Sequence, residues 1–266
     1  MDADGNDPRR LSPINFRVYD FSFSADGKSI AYVAGESPDA RAIFIVDVAD
    51  GAAKKLPNMS GLGTSVAWSP DSRWIAFTSL SDDGSASELN IIRPDGSERT
   101  KLTKEVTLTS TSASLSWSPD GKALVTACDF DGNSDICTFG IDGRGQTRLT
   151  DGESIDEHPA WSPNGRMIAF MSGQPQGGFL KTDIFVVNAD GAGLRSLTDL
   201  PRSDGPTHFL PPPVWSPDGT VIGFVSQRGK SQEPQELFLV NTNDGGLTQI
   251  TPGLGLAIES FDWILP

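Results

Sequence analysis

Histidine, cysteine and tyrosine each occur only twice in the 266 residues. Neither His158 nor His208 stands at His-x-x-x-His spacing or beside a cysteine cluster, so the usual zinc frameworks are excluded and no metal or cofactor is expected. Two cysteines are too few for a disulfide scaffold. Positive charge is also scarce: 21 Lys and Arg against 35 Asp and Glu leave a net charge of -14. A surface of that sign repels phosphate backbones and anionic headgroups, which argues against a nucleic-acid partner. No run approaches the ~18 uninterrupted apolar residues of a membrane helix. Residues 1–12 are polar, with no apolar signal-peptide centre, so neither membrane insertion nor a leader is expected. No segment carries a 3.6-residue apolar period, which leaves helices without a sequence signal. There is no Gly-x-Ser-x-Gly elbow, and Gly61-Leu62-Gly63 lacks the Lys and helix of a phosphate cradle.

What the chain has is 37% hydrophobic residues, enough for a sizeable core, and 28 Gly with 19 Pro, a turn-rich composition. It also has a repeat. Trp68-Ser69-Pro70-Asp71-Ser72 recurs at Trp117–Gly121, Trp161–Gly165 and Trp215–Gly219, with a degenerate copy at Phe23–Gly27, the five anchors lying 45, 49, 44 and 54 residues apart. Ser, Pro, Asp or Asn, then Gly is the preference set of a type I turn. Seven residues past each anchor stands Ile30, Ile75, Leu124, Ile168 or Ile222, followed by the column Ala31, Ala76, Val125, Ala169, Gly223. A third apolar run and a Gly-containing turn follow, and each unit ends on Leu56, Leu102-Thr103, Leu149-Thr150, Leu197-Thr198 or Ile250-Thr251.

Four short strands joined by hairpin turns, repeated every ~45 residues, predict an all-β chain built as a β-propeller of four-stranded antiparallel blades. Sandwiching between neighbouring blades explains why Trp74-Ile75-Ala76-Phe77 and Met167-Ile168-Ala169-Phe170 are apolar on both faces. The small column lets the adjoining blade approach. One domain over 1–266 is expected, with complete blades near 16–58, 60–104, 110–151, 155–199 and 208–252. Asp4-Gly5 with Leu11-Ser12 reproduces the tail of a repeat, and Ser260-Phe261-Asp262-Trp263 its opening strand. The favoured reading is therefore five complete blades plus an incomplete sixth formed by both termini, from 2–12 and 257–266. Five blades with accessory end strands, or an excerpt of a longer array, stay open.

Trp-Ser-Pro-Asp-Gly, Ile-Ala-Phe, the Asp-Gly turn and Leu-Thr, in five phased copies over residues 2–263, resemble the TolB-type propeller. No counterpart of that family's N-terminal α/β domain is visible. The resemblance implies a protein-interaction module of bacterial origin, periplasmic or extracellular. Propellers of prolyl-oligopeptidase-type peptidases look similar too.

Candidate site residues come from the innermost strands. Three residues before each anchor stand Asp20, Ser65, Ser114, His158, Pro212 and Ser260, short and polar in five of six copies. In a propeller this column lines the channel, either as capping and solvated groups or as a ligand pocket, with Asp156, Glu157 and Glu259 adding negative potential that favours a cation. The channel candidates are thus Asp20, Ser65, Ser114, Glu157, His158 and Ser260, and no catalytic set is assigned. Asp129–Asp135 is read as a polar hairpin turn, its Gly being fourth where a calcium loop needs it sixth. Cys128 and Cys137 flank this turn. If the chain reverses at Gly132 and Asn133 they stand opposite each other, as two buried thiols or a cross-strand disulfide. Three functions compete: a non-catalytic scaffold for a protein or peptide partner, an enzyme or sugar-binding propeller using the channel mouth, and self-association through the incomplete blade.

Overall fold

The computed structural model describes residues 10–12, 16–37, 40–57, 61–103, 107–109, 114–176, 179–199, 211–227, 235–252, 258 and 261–263. Among these, every regular element is a strand apart from isolated turns. The chain divides into two compact units, residues 1–102 and 103–266.

The first unit contains two antiparallel sheets. One is β1 (Arg17–Phe23), β2 (Ser29–Gly35), β3 (Ala42–Asp47) and β4 (Ala53–Lys55), in sequential order. The other is β5 (Leu62–Trp68), β6 (Ile75–Leu80), β7 (Ser87–Ile92) and β8 (Thr100–Lys101). The core lies between them: Ala31, Val33 and Ile43 of the first pack with Val66, Trp68, Ile75 and Phe77 of the second. Strand β6 is buried on both faces from Ile75 to Ser79, as the sandwich pattern requires.

The second unit holds three more. In the first, β9 (Thr107–Leu108) and β10 (Ser116–Trp117) pair with opposite ends of β11 (Ala123–Phe130), followed by β12 (Asn133–Gly140) and β13 (Thr147–Arg148). Then come β14 (Ile155–Trp161), β15 (Met167–Gln176), β16 (Phe179–Asn188) and β17 (Arg195–Ser196), and finally β18 (Val214–Trp215), β19 (Val221–Gln227), β20 (Gln235–Asn241) and β21 (Leu247–Gln249). Again the core lies between successive sheets, with Val125 and Ile136 against Ile168 and Phe170, then Ala169 and Val186 against Trp215 and Phe224.

The repeated letters hold this framework. The Ser hydroxyl of each anchor turn donates to the side-chain oxygen of the Asp or Asn two residues on, as in Ser118 to Asp120 (2.7 Å), Ser216 to Asp218 (2.6 Å) and Ser162 to Asn164 (3.0 Å). The same Oγ accepts the amide five residues on, from Ala123 (2.9 Å) and Val221 (3.0 Å), which fixes the start of the second strand. The closing Thr is a second latch: Thr150, Thr198 and Thr251 hydroxyls accept the amides of Ile136, Ile184 and Leu237 at 2.8–2.9 Å. The need for a small second-strand column is direct at Gly223, where a Cβ would stand 2.7 Å from the Phe261 ring. Phe261–Trp263 also behave as an opening strand. The Trp263 indole donates to Val214 O (3.3 Å), as the Trp215 indole does to Ala160 O (3.0 Å). Residues 2–9, 257, 259–260 and 264–266 of the expected sixth blade lie outside the described residues.

The Cys128–Cys137 hairpin differs from expectation by two residues. Phe130 pairs with Asn133, so Asp131 (φ 54°) and Gly132 (φ 84°) form the two-residue turn. Positive φ at both positions is the type I′ turn that Asp-Gly favours and that matches the twist of a hairpin. Cys128 then faces Asp135 and Cys137 faces Thr126, a diagonal pair on one face, and the two are joined as a disulfide with Cα atoms 6.0 Å apart. A shift of two preserves the face and changes only the partner.

Candidate functional site

The polar column three residues before each anchor coincides with irregularities in the opening strands. The β1–β2 register shifts between Val18 and Asp20, that of β5–β6 between Leu62 and Val66, and that of β14–β15 between Glu157 and Ala160. A bulge re-aims the side chains beside it. At Asp20 the side chain reaches the next opening strand, and at His158 it reaches the preceding opening segment.

In the first unit, Asp20 Oδ2 accepts the amide of Val66 (2.9 Å) and Oδ1 the amide of Phe21 (2.8 Å). Burial pushes this carboxyl up to about 6, against the pull of those two amides. One step along, Ser22 Oγ accepts the amide of Trp68 (3.0 Å). Ser65 is buried, its amide donating to Thr78 Oγ1 (3.3 Å).

In the second unit, Ser114 Oγ lies 2.8 Å from His158 Nδ1, and Ser116 Oγ accepts the amide of Trp161 (3.0 Å). His158 sits on the bulge with φ of 56°, an uncommon conformation for a non-glycine residue. Glu157 pairs with Met171 and is half-buried. Of the candidate residues, the structure thus joins Ser114 to His158 and bonds Asp20 to β5, the strand that carries Ser65. Ser260 and Glu259 lie outside the described residues, and Pro212 is exposed.

Asp156 departs from the expected mouth acid. Strand alternation places it opposite to Glu157, buried between the third and fourth sheets, where Ser134 Oγ donates to its carbonyl (2.8 Å). Burial pushes its carboxyl up to about 6, while bonds from the Ser172 and Thr150 hydroxyls pull it down. Asp135, fully buried, pairs with Arg148 at 2.7 Å, and Arg148 stacks over the Phe130 ring. Burial raises Asp135 from its ordinary value despite that arginine. This buried group was not singled out from the sequence, although Asp135-Ile136 and Asp183-Ile184 share a position in the repeat, and Asp183 likewise accepts a hydroxyl, that of Thr198 (2.8 Å). Among the described residues no three His, Cys, Asp or Glu side chains cluster as metal ligands.

Residues 108–199 match the TolB beta propeller domain family, and residues 61–87 the WD domain, G-beta repeat. The uncharacterized protein Atu1656 of Agrobacterium fabrum is 36% identical over 110 residues, 41% of this chain and 34% of that protein. The TolB homolog of Chlorobium chlorochromatii is 30% identical over 149 residues, 56% of this chain and 32% of that protein. The matched segments therefore span about a third of the length of these two relatives. TolB from Acinetobacter baumannii superposes with a TM-score of 0.69 at 20% identity, over 95% of this chain and 59% of that one. An oligogalacturonate lyase from Vibrio parahaemolyticus does so at 0.68 and 16% identity, over 90% and 68%. The phased repeats, the sequential antiparallel sheets and these likenesses together give the chain a β-propeller fold of the TolB type.

Proposed function

We propose that the chain is a non-catalytic interaction scaffold whose partner is a protein or peptide. One observation carries the reading. Trp68, Trp117 and Trp215, anchors of later repeats, are 7–8% exposed, whereas the equivalent Phe23 is 54% exposed and Phe21 beside it 58%. Their rings meet edge to face at 6.2 Å, forming one apolar surface on β1. Contiguous apolar surface of this kind marks association sites. Inter-strand bonding by Asp20 and Ser114 of the polar column, and by Ser22 and Ser116 beside it, supports the same reading, because these groups hold the framework. A disulfide between two fully buried cysteines fits an oxidising compartment, periplasmic or extracellular. The test is Phe21→Ser with Phe23→Ser, both exposed and so compatible with folding. The wild type should retain a specific protein from an extract of its source organism, or a second copy in sedimentation, and the double variant should lose it at unchanged thermal stability. Equal retention by both proteins refutes the assignment.

The alternative is a ligand pocket or enzymatic site at the polar column, with Ser114, Glu157 and His158 in the second unit and Asp20, Ser65 and Ser260 as their equivalents. What favours it is the positive φ of His158, since strained backbone concentrates at functional sites. Hydrolase or lyase activity that disappears in His158→Ala would establish this reading over the scaffold.

A further inference from the structure

In a chain carrying fourteen surplus negative charges, two arginines share one aromatic ring. Tyr19 is the extra residue of the β1 bulge and packs its ring against the core between the first two sheets. The guanidinium carbon of Arg17 lies 5.2 Å from the ring centroid and that of Arg41 lies 5.0 Å from it, so the two carbons are no more than about 10 Å apart. Arg17 comes from the start of β1 and Arg41 from the residue preceding β3. Arg41 is held in place: one Nη donates to Leu62 O (2.8 Å). Its Nε is buried with no hydrogen-bond partner among the described residues.

Two arginines of the chain pair with acids, Arg93 with Glu98 and Arg148 with Asp135. Arg17 and Arg41 form no ion pair with any described carboxylate. The adjacent acid does not serve them, because both Asp20 oxygens accept backbone amides. Two like charges gathered on one ring, with no ion pair to a described carboxylate, add positive potential locally to an otherwise acidic surface. Guanidinium forks recognise planar oxyanions bidentately, with N–H···O distances of about 2.7–2.9 Å. Two forks that share one carboxylate stand closer than the ~10 Å upper limit set by the two ring distances.

We infer that Arg17, Tyr19 and Arg41 form a carboxylate-binding site. It takes the C-terminal carboxylate of a short peptide or that of a uronic acid, with Arg41 as the fixed fork, Arg17 as the exposed one that closes on the ligand, and the Tyr19 ring as the platform that spaces them. The site is separate from the Phe21–Phe23 surface and stands or falls independently of it.

Calorimetric titration with four probes tests the site: N-acetylglycylglycine as free acid, the same peptide as its amide, galacturonate, and galactose. Saturable binding of at least one acid is expected, with none of its neutral counterpart. Arg17→Gln, an exposed change that leaves the fold intact, should weaken that binding tenfold or more, and raising the salt should weaken it in the wild type. Peptide acid bound and galacturonate not bound identifies a peptide C-terminus as the source; the converse identifies a sugar acid. Absence of saturable binding by either acid, equal binding of the neutral forms, or an unchanged affinity in Arg17→Gln overturns the inference.

Discussion

Ser114 Oγ and His158 Nδ1 stand 2.8 Å apart although 44 residues separate them, and the bond ties the opening segments of the third and fourth sheets. Either atom carries the proton, according to the histidine tautomer. Ser114→Ala and His158→Ala should each cost about 1 kcal/mol in denaturant unfolding. Their double variant should cost less than the sum, with a coupling of about 0.5–1.5 kcal/mol. Strict additivity would show that the pair does not act as a latch.

Asp20 and Asp156 set a pH dependence of unusual sign. Both are raised from 3.8 to about 6 by burial, so between those values the folded state holds protons that the unfolded state has released. Stability from these two groups therefore falls as pH rises from about 4 to about 6, by no more than ~3 kcal/mol each at 1.36 kcal/mol per pKa unit. Thermal melts of Asp20→Asn and Asp156→Asn should show a flatter profile in that window than the wild type. Profiles identical to the wild type would mean that neither carboxyl is raised.

Disulfide formation is read directly by thiol titration. The denatured, unreduced protein should present no thiol, and reduction should free two. Cys128→Ala with Cys137→Ala should lose at most ~2–3 kcal/mol, the loop-closure entropy of a short loop already held by a hairpin.

Thr198 accepts from the Ile184 amide and donates to Asp183, both buried. Thr198→Val keeps the shape and removes both bonds, one from a buried amide and one to a buried carboxylate, so about 2–4 kcal/mol should be lost in urea unfolding. Thr198→Ser should recover most of it. A loss confined to a few tenths of a kcal/mol in Thr198→Val would place the latch in a solvated setting.

Much of the framework was legible because its chemistry is local. The Ser118–Asp120 turn is closed by atoms within five residues, and the two-faced apolarity of Ile75–Phe77 reports a strand sandwiched between sheets. The polar column was legible as a column but not as a set of contacts. Whether Asp20 points into a channel or caps Val66 depends on a bulge, and bulges follow from how successive sheets crowd one another. Asp156 and Glu157 looked equivalent as neighbouring acids, yet strand alternation buries one and leaves the other half-exposed.

Sequence by itself determined the strand order, the anchor-turn positions and the all-β class, since these rest on periodicity and on residues that preset their own backbone angles. Tertiary structure alone decided the hairpin register that joins Cys128 to Cys137, the buried group of Asp135, Asp156 and Arg148, and the meeting of Arg17 and Arg41 on Tyr19. Those depend on which side chains different strands bring within a few ångströms of each other, and no one-dimensional pattern encodes that distance.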